Sequence, residues 1–98
     1  MSTIDELADT FKLLADPTRL RLVRLLAGDK QLCVNALARK LGVTQSAVSQ
    51  HLRLLRQADL VTSLRQGSFM HYSLKPRKLS ALQATLRDLL GGADDASS

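Results

Sequence analysis

Residues 35–58 read NALARKLGVTQSAVSQHLRLLRQA, and this stretch decides the fold. Its first part, roughly Asn35 to Leu41, is expected to be a helix closed by Gly42, which suits a left-handed C-cap. Val43 leads to Thr44, a good N-cap, and a second helix is expected from there to near Ala58. Within it Ala47, Val48, Leu52 and Leu55 recur at helical spacing and form one apolar face. The other faces carry Thr44, Gln45, Ser46, Ser49, Gln50, Arg53 and Arg56. Two helices joined by so short a turn make a helix-turn-helix, whose second helix enters the major groove of DNA.

The chemistry of that second helix fits such a role. A helix in the major groove needs an exposed face of hydrogen-bonding side chains. Glutamine can bond adenine bidentately, arginine can bond guanine, and serine or threonine serve phosphates and bases alike. No carboxylate occurs between Thr44 and Arg56, so nothing on the helix repels phosphate. An ordinary surface helix mixes Glu with Lys, and this one has neither. The expected DNA-binding residues are Thr44, Gln45, Ser46, Ser49, Gln50 and Arg53.

Working outward, Leu60 to Arg65 and Phe69 to Leu74 read as two short strands around Gln66-Gly67-Ser68, a hairpin tip. This hairpin supplies the wing of a winged helix-turn-helix, and Arg65 beside its tip can reach a phosphate or the minor groove. Pro76 begins a last helix in which Leu79, Leu82, Leu86, Leu89 and Leu90 form a stripe; Gly91-Gly92 stops it, and residues 93–98 are expected to be a disordered tail. Upstream, Ile4, Leu7, Ala8, Phe11, Leu14 and Ala15 line one face of a first helix. Asp16-Pro17 reads as an N-cap and first turn of a second helix, with Leu20, Val23 and Leu26 inside and Gly28-Asp29 at its end. Gln31 to Val34 is a short extended stretch. The expected class is mainly α with a small β-hairpin, in the order α-α-β-α-α-β-β-α, with residues 1–92 forming one DNA-binding and dimerisation domain.

Charge is distributed in the same sense. The chain of 98 residues carries a net charge of +5. Residues 1–16 sum to −3, residues 17–90 to +10 and residues 91–98 to −2, a basic middle between acidic ends. That is the layout of a domain that touches a polyanion. One cysteine excludes an intramolecular disulfide framework. No apolar run approaches the ~20 residues of a membrane span, and the acidic N-terminus does not suit a signal peptide. A cytoplasmic protein is expected.

Four segments resemble the ArsR/SmtB family of metal- and stress-responsive repressors. They are Leu14-Ala15-Asp16-Pro17-Thr18-Arg19-Leu20-Arg21, Leu32-Cys33-Val34, Thr44-Gln45-Ser46-Ala47-Val48-Ser49-Gln50-His51-Leu52 and Gln66-Gly67. The resemblance spans about residues 4–90. It implies a homodimeric repressor on an inverted-repeat operator, with the first and last helices at the dimer interface. Leu7, Phe11, Leu79, Leu82, Leu86 and Leu89 are the interface residues it points to. It also implies release from DNA when an inducer binds or a thiol changes state; the inducer is not named by the sequence.

The departures from that family matter. Arsenic- and cadmium-type members place two cysteines one residue apart where this chain has Cys33-Val34-Asn35. Zinc- and nickel-type members carry histidine and carboxylate ligands on the last helix, where this chain offers only Asp88. A tight transition-metal site needs three or four donors, so neither usual site and no cofactor is expected. Cys33 is either a core residue or a redox-sensing thiol, His51 packs or contacts DNA, and His71 occupies a strand face. No paired carboxylates, activated nucleophile or glycine-rich phosphate loop support an enzyme. The alternatives left open are a winged-helix module for protein contacts and a thiol-responsive repressor using Cys33.

Overall fold

The computed structural model describes residues 3–28 and 31–91. Its elements are α1 (Thr3–Leu14), α2 (Pro17–Gly28), β1 (Leu32–Cys33), α3 (Val34–Leu41), α4 (Gln45–Gln57), β2 (Val61–Gln66), β3 (Phe69–Leu74) and α5 (Pro76–Leu89). This is the expected winged helix-turn-helix order, with boundaries displaced by a residue or two. Asp29, Gly92 and the expected tail at residues 93–98 lie outside the described residues.

Local chemistry sets the ends of the central helices. At the start of α2, the Arg19 backbone N–H donates to Asp16 Oδ1 at 3.1 Å, one residue before Pro17 opens the helix. Gly42 follows α3 at φ 69°, where its N–H donates to the Ala38 carbonyl at 2.9 Å. Thr44 Oγ1 accepts the Ala47 N–H at 3.1 Å and caps α4. After α4 the chain turns through Asp59 at φ 65°, the one non-glycine residue at positive φ among the described residues. Aspartate is one of the few side chains that adopt this conformation readily. There the Leu60 N–H donates to the Leu55 carbonyl at 3.0 Å. The Asp59 carboxylate pairs with Lys75, and the Lys75 N–H donates to the Leu60 carbonyl at 2.9 Å. The exit from α4 is thereby tied to the entry into α5.

The sheet has the order β1-β3-β2 and is antiparallel throughout. β1 adds to the hairpin with Leu32 opposite Tyr72 and Cys33 opposite His71. Two details differ from the sequence-based expectation. Leu60 is not the first residue of the strand; it completes the turn after α4, is buried, and β2 begins at Val61. Gln66 is not in the loop but pairs with Phe69, leaving Gly67-Ser68 as a two-residue turn with Gly67 at φ 62°.

The core joins Leu22 and Leu26 of α2, Leu37 and Ala38 of α3, Val48, Leu52 and Leu55 of α4, Leu60, and Val61 of β2. Tyr72, Leu74 and Leu79 pack against it from β3 and α5. Leu20, expected inside, is 51% exposed. It stands about 160° around the helix from Leu22, so one cannot face the core when the other does. Truncating a fully buried leucine costs about 2–5 kcal/mol, against about 1 kcal/mol for losing an N-cap. The stripe Val48–Leu52–Leu55, and not the Thr44 cap, therefore holds α4 in place.

The turn between α3 and α4 generates a test. Nothing lies within 4 Å of a Cβ built at Gly42, so Gly42→Ala meets only the conformational cost of φ 69°. We expect a loss of about 1–2 kcal/mol in stability, read as a lower urea midpoint with an unchanged slope.

Candidate nucleic-acid interface

The burial of Val48, Leu52 and Leu55 turns the opposite side of α4 outward. Thr44, Gln45, Ser46, Ser49, Gln50 and Arg53 are all exposed. The Thr44 hydroxyl oxygen is used by the cap, which leaves its proton free to donate. No acidic residue occurs in the first turn of α4, so its amide end presents uncompensated positive potential. The face combines amides, hydroxyls and one guanidinium, the donor and acceptor set that base edges and phosphates require.

His51 does not join this face. It is half-buried, and its Nδ1 accepts from Arg19 Nε at 3.1 Å. The same guanidinium donates from Nη1 to the Leu13 carbonyl at 2.9 Å. Arg19 thus bridges the last turn of α1 and the middle of α4. Asp16 stands beside it, and its carboxyl is held below the usual carboxylate range. The Arg19 backbone N–H is the largest cause, opposed by desolvation and assisted by the Thr18 N–H and the Arg19 charge. Reading the helix alone could not find this bridge, because Arg19 and His51 are far apart in sequence.

The wing lies close to the start of α4. Gln45 shares a shallow cleft with Cys33, Ser68 and Phe69. Arg65 is exposed opposite Met70, and Arg56 Nη1 donates to Ser63 Oγ at 3.1 Å, bracing the hairpin against α4. Leu64 and Phe69 are more than half exposed on the wing. The sequence reading passed over both. Strand parity carried the signal, since buried Val61 and Leu64 are an odd number of residues apart and so point to opposite faces. The Cys33 thiol is free and half-buried. It follows no expected cluster: its ladder partner is His71, whose Nδ1 is out of solvent without a protein partner. Among the described residues, no three His, Cys, Asp or Glu side chains gather as a metal-binding group.

The terminal helices make a second surface. Leu7 is buried, and a groove between α1 and α5 is lined by Leu7, Thr10, Leu82 and Thr85. Leu79, Leu82 and Leu86 are half-buried. Beside them Ile4, Phe11, Leu89 and Leu90 are exposed by 58%, 43%, 49% and 66%. The expected interface residues thus divide into Leu7, which the protomer covers itself, and the rest, which keep open surface.

Comparison with known proteins agrees with this geometry. Residues 16–63 match the family described as bacterial regulatory protein, arsR family. The arsenical resistance operon repressor of Escherichia coli is 46% identical over 66 residues, covering 67% of this chain and 56% of that protein. The chain therefore spans little more than half of that relative's length. The transcriptional repressor SmtB homolog of Synechocystis is 42% identical over 89 residues, covering 91% of this chain and 67% of the relative. An ArsR-like transcriptional regulator from Rhodococcus superposes with a TM-score of 0.82 at 28% identity, covering 98% of this chain and 90% of its own.

Asp16 supplies a pH test. A carboxyl held below its ordinary range contributes stability that is complete above the unfolded carboxylate's titration and is lost as pH falls through the folded one. Asp16→Asn keeps a capping oxygen and removes that titration. Thermal melts are expected to place the wild type above the variant near pH 7 and to converge as pH falls through the carboxylate range, so the variant shows the shallower acid decline.

Proposed function

The chain belongs to the ArsR family of bacterial regulatory proteins, and on that premise we propose that it is a repressor that reads duplex DNA with α4 as a homodimer. The family is one of transcription regulators and not of enzymes. One observation carries the reading. The face of α4 opposite its buried stripe is exposed, polar and free of carboxylates over its whole length. A module for protein contacts would instead expose apolar side chains there.

Gln50 and Arg53 are the side chains we place on base edges and phosphate, with Thr44, Gln45, Ser46 and Ser49 around them and Arg65 reaching from the wing. The single core shared by the described elements supports treating residues 1–92 as one DNA-binding and dimerisation domain. The cytoplasm is the compartment that fits a reader of bacterial operators, and no helix among the described residues is long and apolar enough to cross a membrane.

The dimer reading rests on the terminal helices. Phe11 and Leu89 are large, apolar and open to water although α1 and α5 already pack together. Stable interfaces bury about 800 Å² on each partner around such anchors. Two copies of α4 related by a two-fold axis would read an inverted repeat with half-sites about one helical turn, or a small multiple of it, apart.

Two measurements test this. Gln50→Ala is expected to reduce discrimination between operator and mismatched duplex by about 1–3 kcal/mol. Arg53→Ala is expected to weaken all duplexes alike and to flatten the salt dependence of binding. Titrations at several salt concentrations separate the two; operator binding unchanged in the double variant rejects α4 as the reader. For the dimer, Leu89→Glu alters a side chain that the protomer leaves half exposed, so folding is expected to survive. Sedimentation should show a dimer for the wild type and a monomer for the variant, and a wild-type monomer at micromolar concentration rejects the interface.

A further inference from the structure

The Arg19 bridge has no counterpart in the DNA-reading face, yet it joins α1, α2 and α4 through a single side chain. Its three anchors are independent. The Arg19 backbone N–H is held by Asp16 Oδ1 at 3.1 Å, which locks the first turn of α2. Nη1 reaches the Leu13 carbonyl at 2.9 Å, near the end of α1. Nε reaches His51 Nδ1 at 3.1 Å, on the side of α4 that adjoins the core. A guanidinium is planar and presents its donors in a fixed fork, so satisfying two acceptors at once fixes their relative orientation. A leucine stripe resists separation of α4 from the core but allows small rotations, because apolar contact is not directional.

We propose that Arg19 is a positioning residue for operator recognition: by joining the Leu13 carbonyl to His51 Nδ1, it sets the angle of the reading helix α4 relative to the terminal helices. This rests on the reading of α4 as the DNA-contacting helix. In a dimer held by α1 and α5, that angle sets the distance between the two reading helices. Arg19 therefore acts on half-site spacing without touching DNA.

The test uses the full chain, a duplex bearing the inverted repeat, and the variants Arg19→Gln and His51→Asn. Asparagine offers an amide oxygen near the position of Nδ1 and can keep the link. Arg19→Gln should bind roughly tenfold more weakly, the worth of one charge-assisted hydrogen bond, and discriminate poorly against operators with one or two base pairs inserted between half-sites. His51→Asn should bind and discriminate like wild type. Wild-type spacing discrimination in Arg19→Gln overturns the proposal. A second readout needs no DNA. In a Cys33→Ser background, nitroxides at Asp9→Cys on α1 and Gln57→Cys on α4 report the angle within one protomer. Their distance distribution should broaden in Arg19→Gln and stay narrow in His51→Asn. An unchanged distribution throughout overturns the proposal even if the wild type binds no operator, a result that by itself would reject only the DNA reading of α4.

Discussion

The seating of Val48, Leu52 and Leu55 in the core is the constraint on which the rest of the structure depends. All three are fully buried, and they occupy one stripe of a helix only 13 residues long. A helix seated so firmly on one side has no freedom to choose what it shows on the other. The polar face follows from the apolar one, and both follow from the 3.6-residue period. The tight turns at Gly42 and Asp59 serve the same seating, since each returns the chain to the core within a few residues.

This core is small, and its composition explains its form. The chain has two phenylalanines, one tyrosine and no tryptophan, and both phenylalanines lie outside the core, about half exposed. Leucine and valine close the interior without them. The phenylalanines are thus left at the edges, Phe11 on the first helix and Phe69 on the wing, where they offer contact area to other molecules and not to the protomer's own interior. The terminal helices cover Leu7 between them and leave Ile4, Phe11, Leu89 and Leu90 exposed. The protomer's stability and the surface it presents are therefore set by different leucines.

Polar contacts add direction to this apolar frame. Arg19 ties α4 to α1, and the Asp59–Lys75 pair ties the exit of α4 to α5. Both links run between the central helix and the terminal ones. Exposed pairs of the second kind contribute little to stability, and their value lies in fixing orientation where leucine contacts cannot. The half-buried Arg19–His51 contact is better shielded from water, which makes its hydrogen-bond geometry correspondingly more exacting.

The sequence by itself determined the element order, the turn at Gly42, the Thr44 cap and the outward face of α4, because each depends on residues within a few positions of one another. Capping, glycine conformation and helical period are short-range physics. It misjudged Leu20, where several leucines competed for one helix face and only packing against α3 and α4 decides which pair turns inward. It also left Leu60 and Gln66 on the wrong sides of their boundaries, because the turn after α4 and the register of the hairpin are settled by partners on other strands and helices. Tertiary structure alone placed β1 on β3 and Cys33 opposite His71. It alone brought Arg19 to His51 across 32 residues of chain. A hydrogen bond between groups so far apart leaves no periodicity in the sequence; it exists only once apolar burial has brought the helices together.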